Sequence, residues 1–108
     1  MNRVFKALSD PTRRRVLELL REGPLSAGEL AEKFPFAKPT MSAHFAVLRE
    51  ADLVEIEKVG KTVLYRLKLS VLEDALLGFA GAFGLGAAHG RRAKSFTARE
   101  IKSWAKGR

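Results

Sequence analysis

The fold of this chain is decided by residues 34–49, which read Phe34-Pro35-Phe36-Ala37-Lys38-Pro39-Thr40-Met41-Ser42-Ala43-His44-Phe45-Ala46-Val47-Leu48-Arg49. Three large apolar side chains, Met41, Phe45 and Leu48, recur at the i, i+4, i+7 spacing of a helix that buries one face. Pro39 is tolerated because it falls in the first turn. The stretch therefore predicts an amphipathic helix. Its outward-facing set is predicted to be Lys38, Thr40, Ser42, Ala43, His44 and Arg49.

Capping and stop signals upstream predict shorter helices. A short amphipathic helix comes first. Asp10 can accept hydrogen bonds from free helical N–H groups and Pro11 suits the first helical position, so a second helix begins here. It runs to about Glu22, because Gly23-Pro24 cannot continue a helix.

A third short helix is predicted by Ser26-Ala27-Gly28-Glu29. This segment has the spacing of a capping box, in which the serine and the glutamate each satisfy the other's free N–H group. The helix ends at Pro35. Two short helices joined by a tight turn form the helix-turn-helix pattern, and the helix of the opening stretch is its second member.

A β-hairpin follows this motif. Residues 53–59 alternate partially, Gly60-Lys61 is a turn signal, and residues 62–69 alternate clearly, with one face formed by Val63, Tyr65, Leu67 and Leu69. An isolated hairpin is only marginally stable, so we expect it to pack on the helices as a wing. A further helix starts at Ser70. We predict a mainly α-helical fold with a small β-hairpin (α+β): a winged helix-turn-helix in the order α-α-α-α-β-β-α, plus a short C-terminal helix.

The chain divides by composition into three predicted segments. Residues 1–84 form the winged helix-turn-helix domain, residues 85–95 a linker rich in Gly, Ala and basic residues, and residues 96–108 a short basic helix. Thr97-Ala98-Arg99-Glu100 supports this last helix as a second capping box. Residues 85–108 hold 7 of the 20 Lys and Arg residues but only one of the 12 acidic residues. The net charge of +8 therefore comes mostly from the C-terminal segment.

Composition limits the classes of function. Cysteine is absent, which excludes disulfides, iron–sulfur clusters, thiolate zinc sites and cysteine nucleophiles. Two histidines, one tyrosine and no Gly-rich phosphate loop provide no catalytic constellation, so we predict a protein that is not an enzyme and needs no cofactor. The apolar run at 75–88 is shorter than the roughly 20 residues that span a bilayer, and the sequence starts without a signal peptide. We expect a cytoplasmic protein without a membrane span.

A basic chain indicates a polyanionic partner, and the helix-turn-helix favours double-stranded DNA among such partners. An amphipathic helix with small hydrogen-bonding groups on its outer face fits the major groove. Thr40 and Ser42 can bond phosphates or bases, and Lys38 can bond a phosphate or guanine. His44 remains open between a DNA contact and a structural hydrogen bond. In the wing, backbone or minor-groove contacts are predicted for Lys58, Lys61 and Arg66.

Several segments together resemble the ArsR-type family of bacterial transcriptional repressors, in its metal-independent autorepressor branch. They are Val4-Phe5-Lys6-Ala7-Leu8-Ser9-Asp10-Pro11-Thr12-Arg13-Arg14, Leu30-Ala31-Glu32, Lys38-Pro39-Thr40 with Ser42 and His44, and Val47-Leu48-Arg49-Glu50-Ala51. The resemblance covers about residues 3–83 and implies a homodimeric repressor that occupies a palindromic operator. It also implies a dimer built from the first and last helices of the winged domain. The side chains expected in this interface are Val4, Phe5, Leu8, Leu72, Leu76, Phe79 and Phe83.

The chain departs from that family's pattern at defined positions. Family members that sense metals often carry cysteines at the start of the third helix, where residues 24–29 contain none. Asp74 and His89 do not reproduce the carboxylate–histidine site that other members place on the last helix, so we expect no metal site. Pro35 replaces the usual glycine of the turn. Ala37 replaces a serine cap, which contributes about 1 kcal/mol to a helix.

Three alternatives stay open at the level of sequence. The first is a winged helix used as a protein-interaction module, with the basic C-terminal tail contacting a protein partner. A variant of it is a repressor whose DNA binding is relieved when a partner captures that tail. The second alternative concerns Arg13, Arg14 and Arg15, which either contact phosphates or cover the core with their aliphatic stems.

The third alternative concerns the basic tail. It is an auxiliary DNA-binding arm, a contact with a partner or a second copy through Phe96, Ile101 and Trp104, or a disordered end.

Overall fold

The computed structural model describes residues 2–85 as five helices and three short strands. In chain order these are α1 (Asn2–Leu8), α2 (Pro11–Leu20), β1 (Leu25–Ser26), α3 (Ala27–Glu32), α4 (Lys38–Glu50), β2 (Val54–Val59), β3 (Thr62–Leu67) and α5 (Leu69–Ala82). The predicted mainly helical, winged helix-turn-helix fold class is confirmed. The predicted C-terminal helix at 96–108 and all but the first residue of the predicted linker lie outside the described residues.

The sheet contains one strand more than the predicted hairpin. β3 pairs antiparallel with both β2 and β1, which gives the strand order β1-β3-β2. Leu25 and Ser26 lie opposite Tyr65 and Leu64. Two residues are too few to show a period of two, and Pro24 before them reads as a turn, so the sequence gives no local signal for β1.

The predicted extent of the second hairpin strand was wrong at its end. β3 ends at Leu67, and Leu69 begins α5 instead of continuing the strand. The N–H of Lys68 donates to the carbonyl oxygen of Leu53 at 2.8 Å, and the carbonyl of Lys68 accepts from Val71 N at 3.1 Å. Leu67 and Leu69 continue a period of two, but Lys68 already forms the first hydrogen bond of the helix.

The predicted caps of α2 and α3 are confirmed, while the capping box predicted at 97–100 lies outside the described residues. Asp10 Oδ2 accepts from the N–H of Arg13 at 3.1 Å at the start of α2. Ser26 Oγ accepts from Glu29 N at 3.0 Å, and Ser26 N donates to Glu29 Oε1 at 2.9 Å, which completes the capping box of α3. The hydrogen bond from the Ser26 backbone lowers the pKa of Glu29 below its ordinary value. α2 ends at Leu20, two residues before the predicted end.

The core is organised around the apolar stripe of α4. Met41, Phe45 and Leu48 are 1%, 6% and 0% exposed, as their spacing predicts. Burying a side chain of this size contributes about 1.5–3 kcal/mol relative to leaving it in water. Because the stripe supplies three such residues, α4 is held in a fixed orientation. The core is completed by Val4, Ala7, Val16, Leu17, Leu20, Leu30, Ala51, Leu53, Val54 and Tyr65.

The chain divides into two compact units within α5, after Glu73. The first unit contains the helix-turn-helix and the sheet. In the second unit, Ala75 is buried, Leu77 and Phe83 are 63% and 67% exposed, and the rings of Phe79 and Phe83 lie 4.9 Å apart. Among the described residues, no helix is both long and apolar enough to cross a membrane. The domain boundary at residue 84 stays a prediction.

Candidate nucleic-acid interface

The N-terminus of α4 has no side-chain cap. Ala37 is the N-cap residue, with extended backbone at φ −66° and ψ 153°, and its methyl group offers no acceptor to the free helical N–H groups. Pro39 lies in the first turn, where its missing N–H removes one donor that would otherwise need a partner. The helix therefore begins through chain geometry and the buried stripe, without the usual side-chain hydrogen bond.

The C-terminus of α4 is closed by a Schellman motif. Leu53 N donates to Leu48 O at 3.1 Å and Asp52 N donates to Arg49 O at 2.9 Å, which satisfies two helical carbonyls. Asp52 takes a left-handed φ of 61°, a conformation that Asp tolerates better than most residues. Lys68 Nζ donates to Asp52 Oδ1 at 2.8 Å, and this bond raises the pKa of Lys68. The end of α4 is thus fixed to the residue that precedes α5.

The predicted outward side chains of α4 lie on two edges of the helix. Lys38, Thr40, Ser42, Ala43 and Arg49 are exposed, whereas His44 is half-buried. Because successive residues turn by about 100° around the axis, Lys38, Ser42 and Arg49 share one edge, which we call the groove edge. Thr40 and His44 share the other, which we call the histidine edge. Ala43 lies on the outward surface between them, where a short side chain permits close approach.

The groove edge borders a cavity of about 430 Å³ between α3, α4 and β3. Small residues of α3 form one wall, Lys38, Ser42 and Arg49 line the α4 side, and Tyr65 of β3 contributes to the floor. Within residues 2–85, neither Lys38 nor Arg49 forms an ion pair with an acidic side chain. Lys38 and Arg49, the two cations that line this cavity, are therefore free to bind an external anion.

Tyr65 connects the groove edge to the wing. Its ring lies 4.9 Å from that of Phe45, tilted by 36°. Burial raises the pKa of Tyr65 above its ordinary value of 10.0, and the nearby positive charge of Arg49 opposes this rise. The phenol is thus held neutral beside a cation, where it offers a hydrogen-bonding group and no competing negative charge.

The histidine edge is tied to α2. Arg13 Nη1 donates to His44 Nδ1 at 3.2 Å, and Asp10 Oδ2 lies 3.9 Å from the same nitrogen. His44 therefore has a structural hydrogen bond, one of the two roles left open by its sequence. Its side chain remains 17% exposed.

The arginines of α2 bind the end of α1, which sequence reasoning missed. Arg13 Nε donates to Ala7 O at 2.9 Å and its Nη2 donates to Lys6 O at 2.9 Å. Arg14 Nη1 donates to Leu8 O at 2.7 Å. These guanidinium groups satisfy the free C-terminal carbonyls of α1. A partial signal is present in the sequence, since three cations follow the cap of a helix that comes directly after another helix.

The three predicted wing cations do not share one face of the hairpin. Lys58 lies opposite Val63 and Arg66 lies opposite Glu55, so alternation places these two cations on different faces, while Lys61 lies in the turn. Arg66 donates to Glu57 Oε1 from Nε at 3.1 Å and from Nη2 at 2.9 Å. Its charge is therefore offset within the wing.

The similarity to known proteins covers the elements described above. A family model for a helix-turn-helix domain matches residues 8–57, from the end of α1 into β2. The transcriptional repressor SdpR of Bacillus subtilis is 43% identical over 76 residues, which cover 70% of this chain and 84% of SdpR. A crystal structure of an ArsR family transcriptional regulator superimposes with a TM-score of 0.70 at 30% identity, covering 77% of this chain and 91% of that protein.

This chain belongs to the ArsR family of transcriptional repressors. A second solved structure, the homodimeric winged helix-turn-helix DNA-binding domain of a Mycobacterium bovis protein, matches with a TM-score of 0.62 at 29% identity and covers 75% of this chain and 76% of that one. The relatives are transcriptional regulators, and they do not favour the alternative of a protein-interaction module.

No metal centre is evident in the part of this ArsR-family chain that the structure describes. Among residues 2–85, no group of three or more His, Cys, Asp or Glu side chains is arranged to hold a metal ion. Asp74 lies on α5, and His89 lies outside the described residues.

Proposed function

We propose that this ArsR-family repressor binds a specific double-stranded DNA sequence by inserting α4 into the major groove. The observation that carries the proposal is the groove edge, where Lys38 and Arg49 lie exposed, without an acidic partner in the described chain, on a helix whose other face is buried. A helix fixed by its core and exposing cations and short polar groups can place them against phosphates and base edges.

Individual contacts follow from the chemistry of each side chain. Lys38 and Arg49 bind phosphate oxygens or the acceptor edge of guanine. Thr40 and Ser42 bond phosphates or bases through their hydroxyl groups, and the methyl group of Ala43 contacts a thymine methyl. His44 adds one ring nitrogen at the other edge of the helix.

The wing contributes a smaller share of the contacts. We assign backbone or minor-groove contacts to Lys58 and Lys61, because within residues 2–85 neither forms an ion pair. Arg66 contacts DNA only when its ion pair with Glu57, in which Nη2 lies 2.9 Å from Oε1, is broken.

We further propose that the chain acts as a homodimer on a palindromic operator, with both DNA binding and dimerisation in residues 1–84. The homodimeric M. bovis relative and the exposed ring of Phe83, directly after α5, support this arrangement. Val4 is 6% exposed, so we assign it to the layer of core side chains that packs beneath the interface. Two copies of α4 would enter successive major grooves about 34–36 Å apart. The proposed interface comprises Val4, Phe5, Leu8, Leu72, Leu76, Phe79 and Phe83.

The remaining assignments follow from this role. A repressor of this family acts where the DNA is, so we infer a cytoplasmic location. We also infer that the chain is not an enzyme, since its relatives are regulators and operator occupancy needs no reaction.

Binding to DNA from the region upstream of its own gene tests the function directly. In a gel-shift titration, the full chain should bind this duplex at least tenfold more tightly than a scrambled duplex of equal composition, because specific sites exceed non-specific ones by roughly 10³–10⁷. The affinity should fall steeply with salt as counterions are released. Equal affinity for both duplexes at physiological salt would refute sequence-specific binding at this site.

Two exposed residues, Leu77 within α5 and Phe83 directly after it, test the dimer. Phe83 and Leu77 are similarly exposed at 67% and 63%, but only Phe83 belongs to the proposed interface. Phe83→Glu should shift the protein toward monomers in sedimentation equilibrium, while the matched control Leu77→Glu should remain dimeric. A wild-type protein that stays monomeric at micromolar concentration would contradict the proposed assembly.

A further inference from the structure

The imidazole of His44 lies against two charged side chains of α2, which suggests a role beyond packing. Arg13 Nη1 is 3.2 Å from His44 Nδ1, and Asp10 Oδ2 is 3.9 Å from it. The carboxylate is beyond hydrogen-bond distance of the ring, and it accepts instead from the N–H of Arg13 at 3.1 Å. The direct partner of His44 is therefore the guanidinium group.

That partner determines which nitrogen of His44 carries the proton. A guanidinium group has only donors, so Nδ1 must accept the hydrogen bond. An uncharged imidazole that accepts at Nδ1 carries its proton on Nε2. Arg13 is itself held in place, since its other nitrogens donate to the carbonyls of Ala7 and Lys6, both at 2.9 Å.

The second ring nitrogen of His44 faces solvent. Nε2 has no hydrogen-bond partner among the described residues, and no buried side-chain nitrogen or oxygen in residues 2–85 lacks one. His44 is half-buried, so a fully buried Nε2 without a partner would be such an atom. Nε2 is therefore accessible to solvent.

We propose that Arg13 is a positioning residue that fixes His44 as the Nε2–H tautomer, so that His44 presents one hydrogen-bond donor to an acceptor atom of the bound DNA. This inference rests on the proposed function. The matching acceptors are guanine O6 or N7, adenine N7, thymine O4 or a phosphate oxygen. The amino groups of cytosine and adenine are excluded as partners, because a donor cannot bond a donor. The same guanidinium connects α1, which we assign to the dimer, with the DNA-facing helix.

The tautomer can be measured in the free protein, without DNA. Ring ¹⁵N chemical shifts from long-range ¹H–¹⁵N correlation, in weakly alkaline buffer where an imidazole is uncharged, distinguish the two tautomers. We expect a single Nε2–H form for His44 and a mixture of tautomers in Arg13→Ala. The matched control is Arg15→Ala, since Arg15 pairs with Glu18 and should leave the spectrum of His44 unchanged. His89→Gln assigns the second histidine.

An Nδ1–H form in the wild type would overturn the proposal, as would a His44 spectrum that does not respond to Arg13→Ala. Should the alanine variant fail to fold, Arg13→Lys supplies a second measurement. Lysine retains the positive charge but cannot hold two carbonyls and the ring together, so the tautomer mixture should appear there too.

Two replacements of His44 separate reading DNA from holding Arg13. Asparagine keeps an acceptor near the position of Nδ1 but cannot reach the position of Nε2, whereas glutamine places an N–H donor near Nε2 and gives up Nδ1. We expect His44→Gln to bind the operator within about threefold of wild type and His44→Asn to lose up to about tenfold, the scale of one neutral hydrogen bond. A purely structural histidine would reverse this order. If the wild-type chain did not bind DNA specifically, the proposed function would fail while the tautomer measurement would stand.

Discussion

The helix α4 and the wing formed by β2 and β3 carry the same formal net charge but differ in the charge that is available to a ligand. α4 has two basic and one acidic side chain, and residues 54–67 have three basic and two acidic ones, so each region is +1. In α4, Lys38 and Arg49 lie beside an open groove, without an ion pair in the described chain. In the wing, Arg66 is bonded to Glu57 and lies opposite Glu55.

The two regions also differ in how firmly they are attached to the core. Three side chains of α4 are at most 6% exposed, whereas Val59 near the tip of the wing is 54% exposed. A cation on a fixed helix loses less side-chain and backbone freedom on binding than one on a weakly packed hairpin. Position and pairing, more than formal charge, therefore make α4 the stronger candidate for DNA recognition.

The largest difference should appear in stability. Leu48→Ala removes a side chain that is 0% exposed and should lower the free energy of unfolding by about 2–5 kcal/mol, through lost burial and the cavity left behind. Val59→Ala in the wing should change it by no more than about 0.5 kcal/mol. Urea denaturation followed by circular dichroism measures both. Equal losses would show that the wing is anchored as firmly as α4.

DNA affinity should separate the two regions next. The double variant Lys38→Glu/Arg49→Glu should lower operator affinity on the order of 100-fold, because two phosphate or guanine contacts become repulsive. Lys58→Glu/Lys61→Glu changes the net charge by the same amount and should cost less than about tenfold. Gel shifts at fixed salt give the comparison, with unchanged thermal midpoints as the control. A larger loss from the wing pair would reverse our assignment.

The N-terminus of α4 offers a gain of stability. Ala37→Ser supplies the missing cap oxygen and should add about 1 kcal/mol to the free energy of unfolding. The same replacement at Ala43, in the exposed middle of α4, should be neutral or slightly destabilising, because serine has the lower helix propensity. If both replacements had the same effect, the free N–H groups at the N-terminus of α4 would already have hydrogen-bond partners.

Releasing Arg66 from its ion pair with Glu57 should strengthen the binding of the wing to DNA. Glu57→Gln removes the negative charge that pairs with Arg66 and should raise operator affinity by a few fold, while stability changes by less than about 1 kcal/mol, as for other exposed ion pairs. Glu55→Gln is the matched control, since it removes the same charge without freeing the guanidinium from its bonded partner. An equal gain in both variants would attribute the effect to net charge alone.

The titration of Tyr65, whose ring contacts Phe45 of α4 from the wing, should show whether this contact is buried. Tyr65 is the only tyrosine, so tyrosinate absorbance titrates it alone. Burial raises its pKa, so its contribution to stability is complete below the ordinary pKa of 10.0 and is lost as pH rises through the higher folded value. Tyr65→Phe should remove this loss. A midpoint at or below 10.0 would contradict the buried contact with Phe45.

Local signals in the sequence predicted most of the fold. The stripe of Met41, Phe45 and Leu48 and the caps at Asp10 and Ser26 each depend on residues within one or two turns, so spacing alone identifies them. The hairpin was predicted for the same reason. Leu69 was misplaced because it continues the alternation of Val63, Tyr65 and Leu67, although it already lies in the first turn of α5.

Features that depend on distant residues were not predictable. β1 exists because two residues meet β3 about 40 positions later along the chain, and the Arg13–His44 bond joins residues 31 apart in sequence. The spacing within α4 also could not show that its polar residues divide between two edges with different neighbours. The left-handed Asp52 was missed as well, because glycine is the usual residue at that position.

A chemical footprint of the full chain on its own upstream DNA tests the central claim most directly. Protection of guanine N7 reports contacts in the major groove, and hydroxyl radicals report contacts with the backbone. We predict two protected major-groove segments, centred about 34–36 Å apart, which disappear together in Lys38→Glu/Arg49→Glu. A footprint confined to the backbone and minor groove, or one unaffected by that double variant, would contradict recognition of DNA by α4.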